Sequence, residues 1–287
     1  MLPPALLPRT LGLEIEAVVG YLGQGGNRHI QDALASIFNA NDLSAVSRAY
    51  CSLPVTTDIA VEYDSSLRFD SCPYRGLPIA SIEVKTRIMN WQDYERIVPA
   101  TLSMLRFCGA RVTATTGLHV NLGVPEMKRD PRIAKRIYNV FSRWQYVLYG
   151  LTAPGRRSNN HCTPLPNTAD FLRAHRSRAS STSTRYCCVN FAHLWDEQPR
   201  LEIRLFSSSL NPTKVRHLTR LSSRLIDCAV LRGVHGTEPL PNDAKSLDRF
   251  LIACGFKINN RICPKLSDEL RSTGRWIRKR WRQMRHK

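Results

Sequence analysis

The sequence lacks long hydrophobic runs, and it is poor in acidic residues. A membrane-spanning helix needs about 18 or more consecutive apolar residues, and none of the 287 residues lies in such a run. Residues 1–9 contain three prolines and no basic region ahead of an apolar core, which is untypical of a secretory signal peptide. We therefore expect a chain without a transmembrane segment or a secretory leader.

Common cysteine and nucleotide-binding motifs are missing as well. The nine cysteines are odd in number and form no Cys-x-x-Cys pair, so a disulfide framework and a zinc site are not expected. Cysteines that serve as small apolar side chains are typical of a reducing compartment, which predicts a cytoplasmic protein. There is no P-loop, no Gly-x-Gly-x-x-Gly ahead of a helix and no Gly-x-Ser-x-Gly, which excludes the enzyme classes that these motifs define.

Positive charge, in contrast, is abundant. The chain has 42 Lys and Arg against 23 Asp and Glu, which gives a formal net charge of +19. A field of this sign attracts polyanions such as nucleic acid and nucleotide phosphates. Residues 271–287 alone contain eight Lys or Arg and no acid. This tail is either a helix with Trp276, Trp281 and Met284 among its arginines, suited to nucleic acid or an anionic membrane surface, or a disordered tail.

Apolar residues recur at helical spacing in five segments. The pattern is clearest over 131–150 and 213–232, and it also predicts helices over 28–39, 91–108 and 245–254.

Composition divides the chain into three parts. We predict an N-terminal arm over residues 1–10, one α+β domain over 11–262 and a basic C-terminal tail over 263–287. Within the domain, the Arg-rich stretch 155–185 includes a polar run at 180–184, which predicts a loop.

Five further segments alternate apolar and polar residues, which predicts strands with one apolar and one polar face. The polar faces carry, in chain order, Glu14 and Glu16, Glu62 and Asp64, Glu83 and Lys85, His119 and Asn121, and Glu202 and Arg204. A solvated face of an antiparallel sheet would explain any one of these strands. Six acidic residues on such faces are unexpected, however, in a chain with so few acids.

Acidic side chains on neighbouring strands repel each other. Two carboxylates about 4 Å apart repel by about 4 kcal/mol at an effective dielectric constant near 20, and a bound cation removes this cost. Mg²⁺ and Mn²⁺ prefer such hard oxygen ligands and also bind phosphate oxygens. The alternation therefore predicts a divalent-metal and nucleotide face on a mostly antiparallel sheet, with a merely solvated face as the alternative.

Six short motifs resemble a known family. They are Gly12-Leu13-Glu14-Ile15-Glu16, Asp64-Ser65-Ser66-Leu67, Ile82-Glu83-Val84, Thr116-Gly117-Leu118-His119-Val120-Asn121, Arg185-Tyr186 with Val189-Asn190, and Leu201-Glu202-Ile203-Arg204-Leu205-Phe206. In this order they resemble the amidoligases of the carboxylate–amine ligase superfamily, relatives of glutamine synthetase and glutamate–cysteine ligase. The resemblance covers residues 11–232. It implies an α+β fold whose glutamine-synthetase-like, mostly antiparallel sheet has one polar active-site face and is flanked by helices.

The resemblance also implies a set of metal ligands. Glu14 and Glu16 would bind metal, and Glu83 and Glu202 would complete the Mg²⁺ (or Mn²⁺) sites that bridge the phosphates of ATP. His119 would bind metal or contact a phosphate.

Other residues are implied to contact the substrates. Arg204 would neutralise the γ-phosphate as it is transferred, and Arg185 would hold a substrate carboxylate with both arms of its guanidinium. Asp64 and Asn190 would handle the amine and contact the substrate. The loop 155–185 would be a lid that excludes water, although a surface insertion without that role is an equal alternative.

Two positions depart from the family pattern. Asn121 stands where a second histidine is common, and an amide is a poor Mg²⁺ ligand. Val84-Lys85-Thr86-Arg87 follows Glu83 where Ser or Thr followed by Pro is usual, so charge is introduced next to a carboxylate.

The implied reaction has two steps. ATP phosphorylates the carboxylate of an amino acid or peptide to an acyl phosphate, and an amine then displaces phosphate to form an amide. Two alternatives stay open: a phosphotransferase on the same fold, and a non-catalytic polyanion-binding protein whose carboxylates only form a wet sheet face.

Overall fold

The fold was obtained as a computed structural model. It describes residues 2–3, 5–20, 26–47, 56–67, 79–157, 159–166, 186–233, 238–258 and 261–285. The chain forms two compact units. We call Thr10–Asn121 with Ser207–Val215 the carboxylate unit, and Met1–Arg9 with Leu122–Phe206 and Arg216–Lys287 the helical unit. An element that crosses a boundary is described with the unit that holds most of its residues.

The carboxylate unit is built on five neighbouring β-strands. Its strands are β1 (Leu11–Gly20), β2 (Ala45–Ser47), β3 (Ile59–Tyr63), β4 (Ile79–Thr86) and β5 (Gly117–Gly123), in the spatial order β2-β3-β4-β1-β5. β3 with β4 and β4 with β1 are antiparallel, whereas the short edge pair β2 and β3 is parallel. On β1, Leu13 and Ile15 are fully buried, and the two glutamates lie on the opposite face. The predicted mostly antiparallel sheet with one polar face is thus confirmed.

Two helices belong to this unit. Helix α1 (Gly26–Asn39) packs on β2, β3 and β4 with Ile30, Leu34 and Phe38 buried, four residues apart as a helical stripe requires. Helix α2 (Trp91–Phe107) begins at Asn90, whose side chain accepts a hydrogen bond from the backbone N–H of Asp93.

The remaining elements are described with the helical unit. They are a 3₁₀ turn (Pro125–Lys128), α3 (Ile133–Tyr149), α4 (Pro154–Arg157), β6 (Val189–Asn190), β7 (Arg200–Ser207), α5 (Pro212–Leu231), α6 (Ala244–Ala253), β8 (Lys257–Ile258), β9 (Arg261–Ile262) and α7 (Asp268–Arg285). β6 with β7 and β8 with β9 form antiparallel pairs. Hydrogen bonds connect the N-terminal arm to the rest of this unit. Buried Arg9 donates to Asp227 at 3.0 Å, and Arg224 donates to the carbonyl of Pro3 at 2.8 Å.

The basic tail is a packed helix rather than a disordered segment. Ile277, Trp281 and Met284 of α7 are buried, because they lie on one face at helical spacing. Trp276 stacks on His217 with ring centroids 5.2 Å apart. The alternative of a disordered tail is therefore wrong for the described residues up to 285.

All five predicted helices and all five predicted strands are confirmed, with small differences at their ends. Within the described part of the chain, no helix is both long and apolar enough to cross a membrane. The domain boundaries at residues 10 and 262 stay a prediction.

Candidate metal site and active site

Three strands of the carboxylate unit place acidic residues side by side. Glu16 on β1 lies opposite Glu83 on β4, and Glu62 on β3 lies opposite the same Glu83. Residues directly opposite each other in an antiparallel pair project from the same face, with Cβ atoms about 4.5–5.5 Å apart. The polar faces of the three strands therefore merge into one row, which we call the carboxylate row (Glu62, Glu83 and Glu16).

His119 on β5 continues this row. Its Nε2 lies 3.2 Å from Oε1 of Glu16, and its Nδ1 lies 2.8 Å from Oε2 of Glu14. One possible ligand atom each from Glu16, Glu83 and His119 lies within 4.8 Å of the other two. Three of the predicted metal ligands thus meet in the carboxylate unit.

Glu14 contacts Nδ1 of His119, the ring nitrogen that does not contact Glu16. Its Oε2 contacts the histidine, and its Oε1 accepts a hydrogen bond from Asn121 Nδ2 at 3.0 Å. Burial alone would raise the pKa of Glu14, but the interactions with His119, and then with Lys85, outweigh burial and lower that pKa well below its ordinary value. A carboxylate behind an imidazole is a common support of metal-binding histidines. Direct metal binding by Glu14 stays a prediction.

Glu83 has the opposite electrostatic environment. Burial, together with the negative charge of Glu14, raises the pKa of Glu83 to about 8. Both causes favour the protonated form of this carboxyl group. Metal binding to such a group would release its proton.

Sequence analysis placed Glu62 and Lys85 on the polar face but assigned neither of them to the site. Glu62 is 1% exposed, and Lys85 Nζ lies 2.6 Å from its Oε2 and 2.9 Å from Oε2 of Glu83. The only sequence signal for this pair was the extra charge after Glu83. The register between β3 and β4 is what brings the pair together.

Three more predicted residues lie together in the helical unit. Asn190 on β6 lies opposite Glu202 on β7, and its Nδ2 donates a hydrogen bond to Oε2 of Glu202 at 2.8 Å. Arg204 Nη1 donates to the other oxygen of Glu202. Both carboxylate oxygens of Glu202 accept hydrogen bonds, and its carboxylate holds the guanidinium of Arg204. The metal-binding, phosphate and substrate roles of these three residues stay predictions.

The remaining predicted residues are not part of either group. Asp64 follows β3, and its Oδ1 accepts a hydrogen bond from the backbone N–H of Ser66 at 2.8 Å, as in an Asx turn. Arg185 and most of the predicted lid, 167–185, lie outside the described residues. In the described start of that stretch, Arg156 is unexpectedly buried, because its guanidinium donates to the carbonyl oxygen of Arg204 at 2.7 Å.

The donors of the carboxylate unit fit a hard divalent cation. Two carboxylates and one imidazole suit Mn²⁺, and the carboxylate oxygens suit Mg²⁺. The row also contains an unsatisfied acceptor, because Oε1 of Glu62 is buried and has no hydrogen-bond partner among the described residues. The row thus contains one buried carboxylate oxygen that no described residue satisfies.

Comparison with known proteins gives a family match and likenesses to solved structures. A family model described as "Putative amidoligase enzyme" matches residues 7–181. A chain in the crystal structure of the complex between the prokaryotic ubiquitin-like protein Pup and its ligase PafA is similar, with a TM-score of 0.48 and 11% sequence identity over 96% of this chain. This chain spans 63% of the length of that chain. Comparison with curated proteins gives no match.

Proposed function

The chain belongs to the amidoligase family, and from this premise we propose that it is an ATP-dependent carboxylate–amine ligase. The observation that carries the proposal is the cluster of Glu16, Glu83 and His119, whose ligand atoms lie within 4.8 Å of one another. All three residues lie within the matched residues 7–181. An amidoligase brings together the anionic phosphates of ATP and an anionic carboxylate, and a cation site is what such a reaction needs first.

In the proposed reaction, one carboxylate oxygen of the acid attacks the γ-phosphorus of ATP and ADP leaves. The amine nitrogen then attacks the acyl carbon and loses a proton, and phosphate leaves with one oxygen of the original acid. A divalent ion, when bound, would supply charge neutralisation for the approaching anions. We propose Mg²⁺ or Mn²⁺ as the metal. Its ligand candidates are Glu14, Glu16, Glu83 and His119 in the carboxylate unit and, separately, Glu202 in the helical unit.

The protein's own side chains have defined tasks in this proposal. Arg204, oriented by Glu202, neutralises the phosphoryl group during transfer. Arg185 holds the substrate carboxylate, and Asn190 contacts the substrate. Asp64 accepts the proton that the amine loses. The acid is an amino acid or a peptide carboxylate, the second substrate is an amine, and the cytoplasm is the proposed compartment.

Nucleotide binding is tested by thermal unfolding. Mg²⁺ with a non-hydrolysable ATP analogue at about 100 times its Kd stabilises a protein by about 2.7 kcal/mol. We expect this stabilisation in the wild type, and we expect Glu16→Gln and Glu83→Gln to abolish it, since each removes one anionic ligand. Glu95→Gln, a change at an exposed residue of α2, is the matched control. Equal stabilisation of all four proteins would remove the metal assignment.

Ligation is tested by following an isotope. With glutamate as the first acid, labelled with ¹⁸O in its carboxylates, and with ammonia as the amine, the acyl-phosphate route transfers one ¹⁸O to the released phosphate. Phosphate without label, formed together with an amide, would contradict this route. A stable phosphorylated product without an amide would instead indicate the phosphotransferase.

A second candidate function, polyanion binding, is favoured by the surface of α7. A cavity of about 390 Å³ is lined by Arg275, Arg278, Lys279 and Arg282 together with two uncharged residues. Nη2 of Arg278 is buried there without a hydrogen-bond partner among the described residues. Four cations around one cavity attract phosphate groups. Binding of an oligonucleotide that weakens steeply with salt is the test of this function.

A further inference from the structure

A lysine occupies the middle of the carboxylate row. Lys85 Nζ lies 2.6 Å from Oε2 of Glu62 and 2.9 Å from Oε2 of Glu83, and its side chain is 26% exposed. On β1, Glu14 lies directly opposite Lys85. One ammonium group therefore sits among three carboxylates, each provided by a different strand.

The net charge of the carboxylate row and Glu14 depends on whether Lys85 is present. The carboxylate row and Glu14 together carry four carboxylates, and Lys85 offsets one of their negative charges. One divalent ion at Glu16, Glu83 and His119 then leaves a single negative charge. Without Lys85, two divalent ions neutralise the four carboxylates completely. Because buried charge is costly unless it is compensated, loss of Lys85 would favour binding of a second divalent ion to these carboxylates.

We propose that Lys85 Nζ is a built-in cation that fills a second cation site, between Glu62 and Glu83, and so leaves one divalent-ion site in the carboxylate unit. The inference rests on the proposed function only in that the remaining site is the divalent-ion site of the ligase. Lys85 is a positioning residue, since it acts through the carboxylates that it holds.

The geometry of the lysine site is compatible with a metal ion in its place. Mg²⁺ binds oxygen at about 2.0–2.1 Å, so each of the two carboxylates would move inward by less than about 1 Å. Oε1 of Glu62, buried and without a partner among the described residues, is a further oxygen at this site. It is an independent sign that the site has more ligand capacity than the ammonium group uses.

The experiment is a titration of the nucleotide-free, full-length protein with Mn²⁺, in which free Mn²⁺ is followed by electron paramagnetic resonance. We expect Lys85→Met to bind one Mn²⁺ per chain more than the wild type. We expect the double variant Lys85→Met/Glu62→Gln to bind the same number of Mn²⁺ ions as the wild type. We expect the same number for Glu62→Gln alone. Lys257→Met is the matched control, because Lys257 pairs with the single carboxylate of Asp248 at 2.7 Å and its loss leaves no second acid behind.

Two results would overturn the inference: an unchanged ion number in Lys85→Met, or the loss of an ion from the wild type on Glu62→Gln. If Lys85→Met does not fold, the number of ions bound by Glu62→Gln still tests the inference, and Lys85→Ala replaces Lys85→Met. Failure of the proposed function is distinguishable from these results. If the protein has no ligase activity but its Lys85→Met variant gains an ion, the inference holds and the proposed function fails. If the protein is an active ligase but its Lys85→Met variant gains no ion, only the inference fails.

Discussion

Asp58, just before β3, is a buried carboxylate that stays ionised because of its arginine partners. Oδ1 of Asp58 accepts a hydrogen bond from Arg96 at 3.0 Å and from Arg87 at 3.2 Å, and Asp58 is 7% exposed. Burial alone would raise the pKa of Asp58, but the hydrogen bonds from Arg96 and Arg87 outweigh burial and lower it. The charge of this residue is therefore part of the stability of the carboxylate unit.

We expect Asp58→Asn to lower the free energy of unfolding at pH 7 by about 1–3 kcal/mol, since charge-assisted hydrogen bonds are lost while the shape is kept. The folded-state pKa of Asp58 lies below the unfolded value of about 3.9. Its stabilisation is therefore complete above that value and disappears as the pH falls through the folded-state pKa. Urea unfolding of both proteins from pH 7 downward should give free energies that converge in acid.

The control for this prediction is Glu197→Gln, because Glu197 is exposed in the helical unit. Its effect should stay within about 0.5 kcal/mol at every pH. A constant difference between Asp58→Asn and the wild type down to the lowest accessible pH would show that the ionisation of Asp58 contributes nothing to stability.

Among the secondary-structure elements, apolar periodicity predicted five helices and five strands, because it depends on neighbours close in sequence, but it did not predict short elements such as β2 and β8. The helix predicted over 213–232 is observed as Pro212–Leu231. The pairing of Glu62 with Lys85 was not predictable in this way. It depends on the register between β3 and β4, where a slip by one residue would turn either side chain to the other face. Buried Arg156 was missed for a similar reason, since its acceptor is the distant carbonyl of Arg204.

At Gly150, just after α3, helix propensity and packing predict opposite effects of an alanine substitution on stability. Alanine is favoured over glycine in helices by about 1 kcal/mol. A Cβ atom at Gly150 would clash with Asn242 Oδ1 and would lie 2.8 Å from Trp281 Nε1, however. These two atoms form the 2.6 Å hydrogen bond that connects α7 to the segment before α6. We therefore expect Gly150→Ala to destabilise the protein, by about 1–3 kcal/mol.

The measurement for Gly150→Ala is urea unfolding, in the wild type and in an Asn242→Ala background. Removal of the Asn242 side chain removes the closest contact of the new Cβ atom, so the cost of Gly150→Ala should be smaller in that background. Stabilisation by Gly150→Ala in the wild type would mean that propensity outweighs packing at this position.

Over the whole molecule, the net charge of +19 is partly concentrated on one helix face. The buried face of α7 contains Ile277, Trp281 and Met284, whereas Arg275, Lys279 and Arg282 are exposed. The same amphipathic pattern that fixes this helix in the helical unit therefore also displays its arginines. Because Trp276 stacks on His217 and Trp281 donates to Asn242, a polyanion would meet charge rather than aromatic rings on this face.

A triple variant separates the charge of this face from its packing. Arg275, Lys279 and Arg282 are exposed, so changing all three to Gln should alter the free energy of unfolding by less than about 1 kcal/mol. Each phosphate contact contributes about one unit to the slope of log affinity against log salt. For a short DNA duplex measured by fluorescence anisotropy, we expect the slope to decrease by about 2–3.

The matched control changes Lys128, Arg129 and Lys135 to Gln. These residues are also exposed in the helical unit, and the net charge falls by the same amount. If binding depends on the face of α7, the control keeps nearly the full salt slope, because contacts with individual phosphates determine the slope. Equal losses in both variants would show that the overall positive field, rather than this helix face, attracts the polyanion.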